Sequence, residues 1–187
     1  MALKHTLSYL KNFFRDKKVA SITPCSRFTI KRLCSKIDYS YDQMIVEYGP
    51  GSGGFTRYML RNMTTNSRLI TIEVNKDFVK ELKNIEKQDN RLTVYQDGAE
   101  NLPNILAKEG IEEVHNVISG IPFSLIPESA KNTILAETYK HLAPGGKFLL
   151  YQTSYKMVPD LQAYFREVRK DYEARNIPPM YLMEAIK

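Results

Sequence analysis

A cluster of glycines between an apolar run and a helical pattern constrains the fold of this chain more than any other feature. The stretch 45–56, IVEYGPGSGGFT, reaches an acid at Glu47 and then places four glycines and a proline within the six positions 49–54. Glycine permits tight turns and lets another group approach the backbone closely. We therefore expect a strand, a glycine loop and a helix in this order, with a ligand close to the loop backbone.

Strand-like and helix-like segments alternate along most of the chain. This alternation predicts an α/β fold in which helices cover both faces of a mostly parallel sheet. The last two predicted strands are joined by the short segment 176–179, NIPP, which predicts a terminal antiparallel hairpin. Strands are predicted at 44–48, 68–74, 91–96, 114–119, 146–152, 170–175 and 180–186, and helices at 26–37, 55–62, 76–87, 100–108, 128–142 and 158–168.

Positive charge is concentrated at the start of the chain, within an overall net charge of +6. Residues 1–40 carry nine Lys and Arg against two Asp, whereas residues 41–187 carry eighteen against nineteen acids. A basic amphipathic helix favours a polyanionic partner, either an acidic membrane surface or a nucleic acid, although its apolar face would also suit packing on the sheet's own helices. We therefore divide the chain into a basic N-terminal helical segment, 1–40, and a ligand-binding domain, 41–187. Four apolar residues of the first segment are spaced for one helix face: Leu3, Leu7, Leu10 and Phe14.

Several other classes of protein are disfavoured by the sequence. No run of 18 apolar residues predicts a transmembrane helix, and the N-terminus lacks the apolar core and cleavage site of a signal peptide. The two cysteines, Cys25 and Cys34, match no metal-site spacing and no disulfide framework. We expect reduced thiols, a cytoplasmic protein and no bound metal.

A second acid indicates what approaches the glycine loop. Glu73 ends the apolar run LITIE twenty residues after Gly53, where an acid can accept hydrogen bonds from both hydroxyls of a ribose. The spacing Glu47-x-Gly49-x-Gly51-x-Gly53 places a further carboxylate before the loop, where it can hold the ammonium group of an amino-acid moiety. Gly49, Gly51 and Gly54 also satisfy the pattern of dinucleotide-binding loops, so the glycine spacing alone does not identify the ligand. Together the two acids predict a nucleoside that carries an amino acid.

The E-x-G-x-G-x-G stretch resembles motif I of the S-adenosylmethionine-dependent methyltransferases. QDGAENL at 96–102, VISGIPF at 117–123 and HLAPGGKFLLYQ at 141–152 resemble later motifs of the same family. The resemblance implies a Rossmann-like seven-stranded sheet and S-adenosyl-L-methionine as cofactor, with S-adenosyl-L-homocysteine as product. It implies that ten residues bind the cofactor: Glu47, Gly49, Gly51, Gly53, Glu73, Val74, Asp97, Gly98, Ala99 and Ser119.

The stretch SGIPFSLIP at 119–127 points to the methyl acceptor. It resembles the N-L-P-Y motif of the ribosomal RNA adenine dimethyltransferases but lacks the amide, and it resembles the bacterial phospholipid N-methyltransferases more closely. The basic stretch 13–33 and the terminal RNIPP at 175–179 resemble the same phospholipid-modifying family, although Cys25 replaces one of its usual two serines. By this resemblance the catalytic residues are Ser119, Gly120, Ile121 and Phe123.

The resemblance implies stepwise methylation of phosphatidylethanolamine toward phosphatidylcholine by a monomer bound peripherally to an anionic membrane through its N-terminal helix. Ser26 and Arg27 are candidates for the lipid phosphate, because a guanidinium matches phosphate oxygens. Phe123, Tyr151 and Tyr155 are candidates for the methylated ammonium, because aromatic faces attract such cations. The alternatives are an RNA adenine N6-methyltransferase and a non-catalytic scaffold that binds RNA or membrane.

Overall fold

The computed structural model describes residues 25–187. The helix predicted around Leu3, Leu7, Leu10 and Phe14 lies outside the described residues. Within residues 25–187, no helix has both the length and the apolar character needed to span a bilayer.

Helices and strands alternate through most of the described part of the chain, with short 3₁₀ turns at Ala99–Asn101 and Phe123–Leu125. The α-helices are α1 (Arg27–Cys34), α2 (Gly54–Asn62), α3 (Lys76–Glu86), α4 (Leu102–Glu109), α5 (Glu128–His141) and α6 (Val158–Gln162). The strands are β1 (Met44–Tyr48), β2 (Arg68–Ile72), β3 (Leu92–Tyr95), β4 (Val114–Ser119), β5 (Leu142–Gln152), β6 (Glu167–Glu173) and β7 (Met180–Ile186).

The strands form one seven-stranded sheet in the order β3-β2-β1-β4-β5-β7-β6. The first five strands are mutually parallel, and β7 is antiparallel to both of its neighbours, β5 and β6. This arrangement confirms the predicted α/β class with its terminal antiparallel hairpin. The strand order reverses direction beside β1, so the carboxyl end of β1 lies at the switch point where such sheets bind ligands.

Apolar side chains cover both faces of the sheet. One cluster joins α4, α5 and α6 to the sheet, and the other joins α1, α2 and α3. Leu33, Cys34 and Ile37 belong to the second cluster and are at most 5% exposed. The predicted boundary at residue 40 therefore does not separate two packing units, because the described part of the basic segment contributes to the core of the domain. Cys25 and Cys34 are both free thiols.

Much of the positive charge on and just after α1 is neutralised within the fold. Arg32 donates two hydrogen bonds to Asp171 on β6, at 2.7 and 2.9 Å. Lys36 lies 3.6 Å from a carboxylate oxygen of Glu184 on β7. These ion pairs hold α1 against the terminal hairpin, so Arg32 and Lys36 contribute less to a surface for polyanions than the sequence predicted.

The two predicted element boundaries that differ most from the structure are wrong for the same physical reason. The helix predicted at 158–168 ends at Gln162, because Glu167 already pairs with Ile186 as the first residue of β6. Strand β5 begins at Leu142 rather than at 146, because Leu142 pairs with Val114 before a register shift. Both boundaries are set by strand partners distant in sequence, which local patterns do not reveal.

Candidate functional site

Five residues form a row across the carboxyl edge of the sheet. Four of them follow the strands β3, β2, β1 and β4, the fifth lies near the end of β5, and neighbouring members are connected by backbone pairing. Gly49 N donates to Ile72 O at 2.9 Å, Gly120 N donates to Tyr48 O at 2.9 Å, and Asp97 N donates to Glu73 O at 3.1 Å. Tyr151 comes next to Gly120 because Leu150 pairs with Ser119. The row is therefore Asp97, Glu73, Gly49, Gly120 and Tyr151.

The glycine loop takes backbone conformations that favour glycine. Gly49, Gly51 and Gly53 have φ values of 61°, 56° and 82°, in the left-handed region. No heavy atom lies within 4 Å of the position that a Cβ would take at Gly51. Gly53 is the N-cap of α2, so the loop leads directly into the helix. The predicted turn is thus present, with open space beside its central glycine.

Glu47 is a buried acid below the loop. It is 2% exposed, and its Oε2 accepts a hydrogen bond of 2.6 Å from the hydroxyl of Thr56 on α2. Burial raises the pKa of Glu47 to about 8, against the lowering effect of the Thr56 hydroxyl. A nearby cation would favour the ionised form.

Glu73 connects the second strand to the glycine loop. Its Oε2 accepts a hydrogen bond from Gly51 N at 3.1 Å, and its Oε1 accepts one from Asn75 N at 2.8 Å. Burial raises the pKa of Glu73, and hydrogen bonds from the Asn75, Gly51 and Val74 amides lower it. Val74, a predicted cofactor residue, therefore contributes a backbone amide to this carboxylate.

Asp97 lies at the end of β3 and is held by its neighbours. It accepts hydrogen bonds from Gly98 N at 2.8 Å and from Asn101 Nδ2 at 2.6 Å. Ala99 is 5% exposed and opens the following 3₁₀ turn. Glu100, which the sequence analysis missed, lies with its carboxylate against Gly98, where a Cβ would collide with it. Burial raises the pKa of Glu100. In the sequence, its position after two small residues is the one signal that could have identified it.

The motif after β4 is fixed to both neighbouring strands. Ser119 is fully buried, and its Oγ accepts a hydrogen bond of 3.3 Å from Ile121 N. Ile121 O accepts one of 2.8 Å from Gln152 Nε2 at the end of β5. A Cβ at Gly49 would lie 3.4 Å from the Ile121 side chain, so the glycine loop and this motif are in direct contact.

The three aromatic residues predicted to bind an ammonium group all have aromatic neighbours. Phe123 is 2% exposed and packs edge-on against Phe148 at 6.4 Å between ring centroids. Tyr155 packs edge-on against another ring, Tyr181, at 4.7 Å. Tyr151 stacks on Phe55 of α2 with centroids 4.8 Å apart. Their predicted role as a cation site stays a prediction.

Ser26 and Arg27 begin α1 beside the β6–β7 turn. Ser26 is the N-cap of α1 and accepts a hydrogen bond from Thr29 N at 3.3 Å, while its own backbone amide donates to Asn176 Oδ1 at 2.7 Å. The guanidinium carbons of Arg27 and Arg175 lie 5.0 and 4.3 Å from the centre of the Phe28 ring. Arg27 and Arg175, which are far apart in the sequence, therefore both lie over the same aromatic ring near the edge of the site.

The residues of the edge fit S-adenosylmethionine. Within residues 25–187, no Lys or Arg contributes to the pKa of Glu47 or Glu73, so both buried acids are without a charge-compensating cation. An ammonium group would compensate Glu47, ribose hydroxyls could donate to Glu73, and the contact of Asp97 with the adenine stays a prediction. The described residues contain no cluster of three or more potential metal-binding side chains.

Comparison with known proteins gives matches along most of the chain. A family model described as a methyltransferase domain matches residues 45–146. The ornithine lipid N-methyltransferase of Singulisphaera acidiphila is 26% identical over 185 residues, which cover 95% of this chain and 93% of that protein. The ribosomal RNA small subunit methyltransferase A of Mycoplasma capricolum is 26% identical over 106 residues, 56% of this chain and 38% of that protein.

Solved structures show the same fold. The 1,6-didemethyltoxoflavin-N1-methyltransferase of Burkholderia thailandensis, solved with bound S-adenosylhomocysteine, has a TM-score of 0.71 at 14% identity, covering all of this chain and 88% of that one. The family model covers more than half of the chain. The protein therefore belongs to the methyltransferase-domain family and is an S-adenosylmethionine-dependent methyltransferase.

Proposed function

We propose that this enzyme methylates the amine of a membrane lipid headgroup, converting phosphatidylethanolamine stepwise toward phosphatidylcholine. The observation that carries the proposal is the match to an ornithine lipid N-methyltransferase over 95% of this chain and 93% of that protein. That relative acts on a lipid that carries an amine. The choice of phosphatidylethanolamine rests on the resemblance of the 119–127 and 175–179 stretches to the phospholipid-modifying enzymes.

The acceptor side of the site supports an alkyl amine. Gly120 occupies the position where adenine-methylating enzymes carry an amide or acid, so residue 120 offers no side chain to hold the edge of a planar base. A Cβ there would lie 2.8 Å from Gly49 O, which excludes larger residues. The site would thus present a narrow entry beside the glycine loop, suited to a small headgroup.

The chain's own residues would align the reactants and exclude water. S-Adenosylmethionine, when bound, supplies a methyl group on a sulfonium. Glu73 and Asp97 would fix the nucleoside, and Glu47 would fix the amino-acid end, so that the acceptor nitrogen can approach in line beside Gly120. The acceptor amine would first release a proton to water, and its lone pair would then take the methyl group while the C–S electron pair stays on sulfur.

The start of α1 is proposed to bind the lipid phosphate. Arg27 is exposed, stands at the helix start and lies over the Phe28 ring. Arg175 lies over the same ring but is bound to Glu173 through two hydrogen bonds, at 2.7 and 2.8 Å. Arg27 is therefore the more available guanidinium for an anion, with Ser26 beside it.

We further propose that the carboxyl edge of the sheet faces an anionic membrane surface and that the enzyme acts as a cytoplasmic, peripherally bound monomer. Ile177 on the β6–β7 turn is 83% exposed, and Leu125 in the loop after β4 is 45% exposed. Both follow strands that end at this edge. The basic residues of the segment 1–24 would add electrostatic attraction, roughly 1 kcal/mol for each charge near the leaflet.

The second candidate is an RNA adenine N6-methyltransferase. The match to a ribosomal RNA methyltransferase over 56% of this chain favours it. That relative is matched over only 38% of its length, and residue 120 lacks the amide of the adenine-methylating motif. Both observations make it the weaker candidate.

One experiment distinguishes the two substrates. Purified protein and radiolabelled S-adenosylmethionine are incubated in parallel with anionic vesicles that contain phosphatidylethanolamine and with ribosomal RNA. Label in the lipid fraction is the expected result. Label in RNA and never in lipid would overturn the proposal, and label in neither would show that the acceptor is another molecule. Vesicles with ornithine lipid in place of phosphatidylethanolamine test the headgroup.

A further inference from the structure

We propose that the hydroxyl of Tyr151 accepts a hydrogen bond from the acceptor amine and so positions its lone pair toward the methyl donor. This inference rests on the proposed function, because it requires an acceptor that carries N–H groups. It assigns to the hydroxyl a role different from the cation-binding role that the sequence suggested for the ring.

The first observation is the relation between Tyr151 and Gly120. The two residues are neighbours on adjacent parallel strands, one step beyond the pair Ser119–Leu150. A Cβ at residue 120 would collide with Tyr151 Oη and would lie 3.0 Å from Cζ. The hydroxyl therefore fills the volume where the motif's amide side chain would begin, so a polar group is present there although residue 120 has none.

The second observation is that the protein fixes the orientation of Tyr151. Its ring stacks on Phe55 at an interplanar angle of 13°, which covers one face of the ring. Its hydroxyl interacts with the Cys25 thiol group, and each of the two groups affects the pKa of the other. Phe55 lies in the first turn of the helix after the glycine loop, so the hydroxyl is held in register with the cofactor site.

The third observation concerns protonation. Burial, Cys25, Glu47 and Glu73 all raise the pKa of Tyr151 well above its ordinary value, so the phenol stays neutral. A neutral hydroxyl has one donor and two acceptor lone pairs. The Cys25 sulfur can accept the hydroxyl proton, which leaves the lone pairs of the hydroxyl oxygen available to accept N–H from a neutral amine.

The number of N–H groups on the acceptor gives a direct test. A neutral primary amine has two N–H groups, a monomethylated amine has one and a dimethylated amine has none. Loss of the Tyr151 hydroxyl should therefore slow the first two methyl transfers and leave the third nearly unchanged. A structural role of the hydroxyl would affect all three transfers alike.

The experiment compares Tyr151→Phe with wild type in single-turnover assays on phosphatidylethanolamine and on its monomethyl and dimethyl derivatives in vesicles. We expect a fall of about tenfold or more on the first two lipids and less than about twofold on the third. Tyr139→Phe is the matched control, because that hydroxyl lies near the C-terminal end of α5, at the opposite edge of the sheet. The control should leave all three rates unchanged.

Binding gives a readout independent of turnover. Titration calorimetry measures soluble dihexanoyl phosphatidylethanolamine and dihexanoyl phosphatidylcholine against protein saturated with S-adenosylhomocysteine. Tyr151→Phe should weaken binding of the first lipid and not of the second, whose quaternary nitrogen has no N–H. Equal rates for Tyr151→Phe and wild type, or equal losses on all three acceptors, would overturn the inference alone. A wild-type protein that methylates none of them overturns the proposed function and the inference with it.

Discussion

Gly51 N donates a hydrogen bond of 3.1 Å to Glu73 Oε2, so the acid after β2 is joined to the glycine loop after β1. The two residues are 22 positions apart in sequence and belong to different strand–loop units. This contact brings the loop backbone and a buried carboxylate together at the switch point of the sheet. The geometry of the nucleoside site therefore depends on both the glycine loop after β1 and the segment after β2.

Gly51→Val should abolish binding of S-adenosylmethionine. A branched side chain would enter the open space beside the loop and would also be strained at φ 56°. Gly110→Val is a matched control, since Gly110 also has a positive φ of 65° and nothing within 4 Å of its Cβ position, but caps α4 away from the site. Calorimetry should show lost affinity for the first variant only. Retained affinity in Gly51→Val would mean that the loop is only a turn.

Glu47→Gln should change how the stability of the cofactor-free protein depends on pH. Burial raises the pKa of Glu47 from 4.5 to about 8 in the folded state, so the folded protein holds a proton that the unfolded chain releases. Its contribution to stability is therefore fully present below about pH 4.5 and is lost as pH rises to about 8, by roughly 1.4 kcal/mol per unit of pKa difference.

Urea unfolding from pH 5 to pH 8.5 measures this effect as the difference between wild type and Glu47→Gln. Taking the difference removes the contributions of acids that do not interact with Glu47. Glu73, whose pKa is also raised by burial, interacts with Glu47, so the difference reports the two acids together. The wild type should lose stability relative to the variant as pH rises, and S-adenosylmethionine should restore it. A constant difference across this range would contradict the assignment.

Asn176→Ala should destabilise the attachment of α1 to the terminal hairpin. Asn176 is 1% exposed, and its Oδ1 accepts hydrogen bonds from Ser26 N at 2.7 Å and Thr29 Oγ1 at 3.0 Å. Removing the amide leaves buried donors unpaired, so we expect a loss of about 2–3 kcal/mol in the free energy of unfolding. Urea unfolding provides the measurement, with the exposed Asn62→Ala as control. A loss below about 0.5 kcal/mol would show that water replaces these contacts.

Membrane binding should depend on both a charged and an apolar element. Deleting residues 2–15 should weaken sedimentation with anionic vesicles, and the difference should shrink at high salt because charges are screened. Ile177→Ser should weaken sedimentation with the vesicles, with little dependence on salt, because burial of an apolar side chain is lost.

Tyr41→Ser is the control for the apolar element. Tyr41 is 49% exposed but precedes β1, at the opposite edge of the sheet, so its substitution should not affect vesicle binding. Equal effects of Tyr41→Ser and Ile177→Ser would contradict the proposed orientation. Unchanged vesicle binding after the deletion would favour the alternative that the N-terminal helix packs on the domain.

The sequence predicted the bounds of an element correctly where the residues of that element decide them. Strand β4 was predicted at its observed bounds, 114–119, because its burial is set by its own apolar run. The end of α6 and the start of β5 were predicted wrongly, because strand pairing with distant residues decides them. Glu100 was missed because a single acid on a 3₁₀ turn has no periodic signal.

The sequence by itself determined the strand–loop–helix around Gly49–Gly53 and the two acids that flank it, because local residues decide them, and its resemblance to motif I indicated the cofactor. Only the tertiary structure brought Tyr151 beside Gly120 and Cys25, since strand register places residues 31 positions apart in one row. It also decided that Arg32 and Lys36 pair with the terminal hairpin. Local pattern fixes which groups a segment offers, whereas long-range pairing fixes which groups meet.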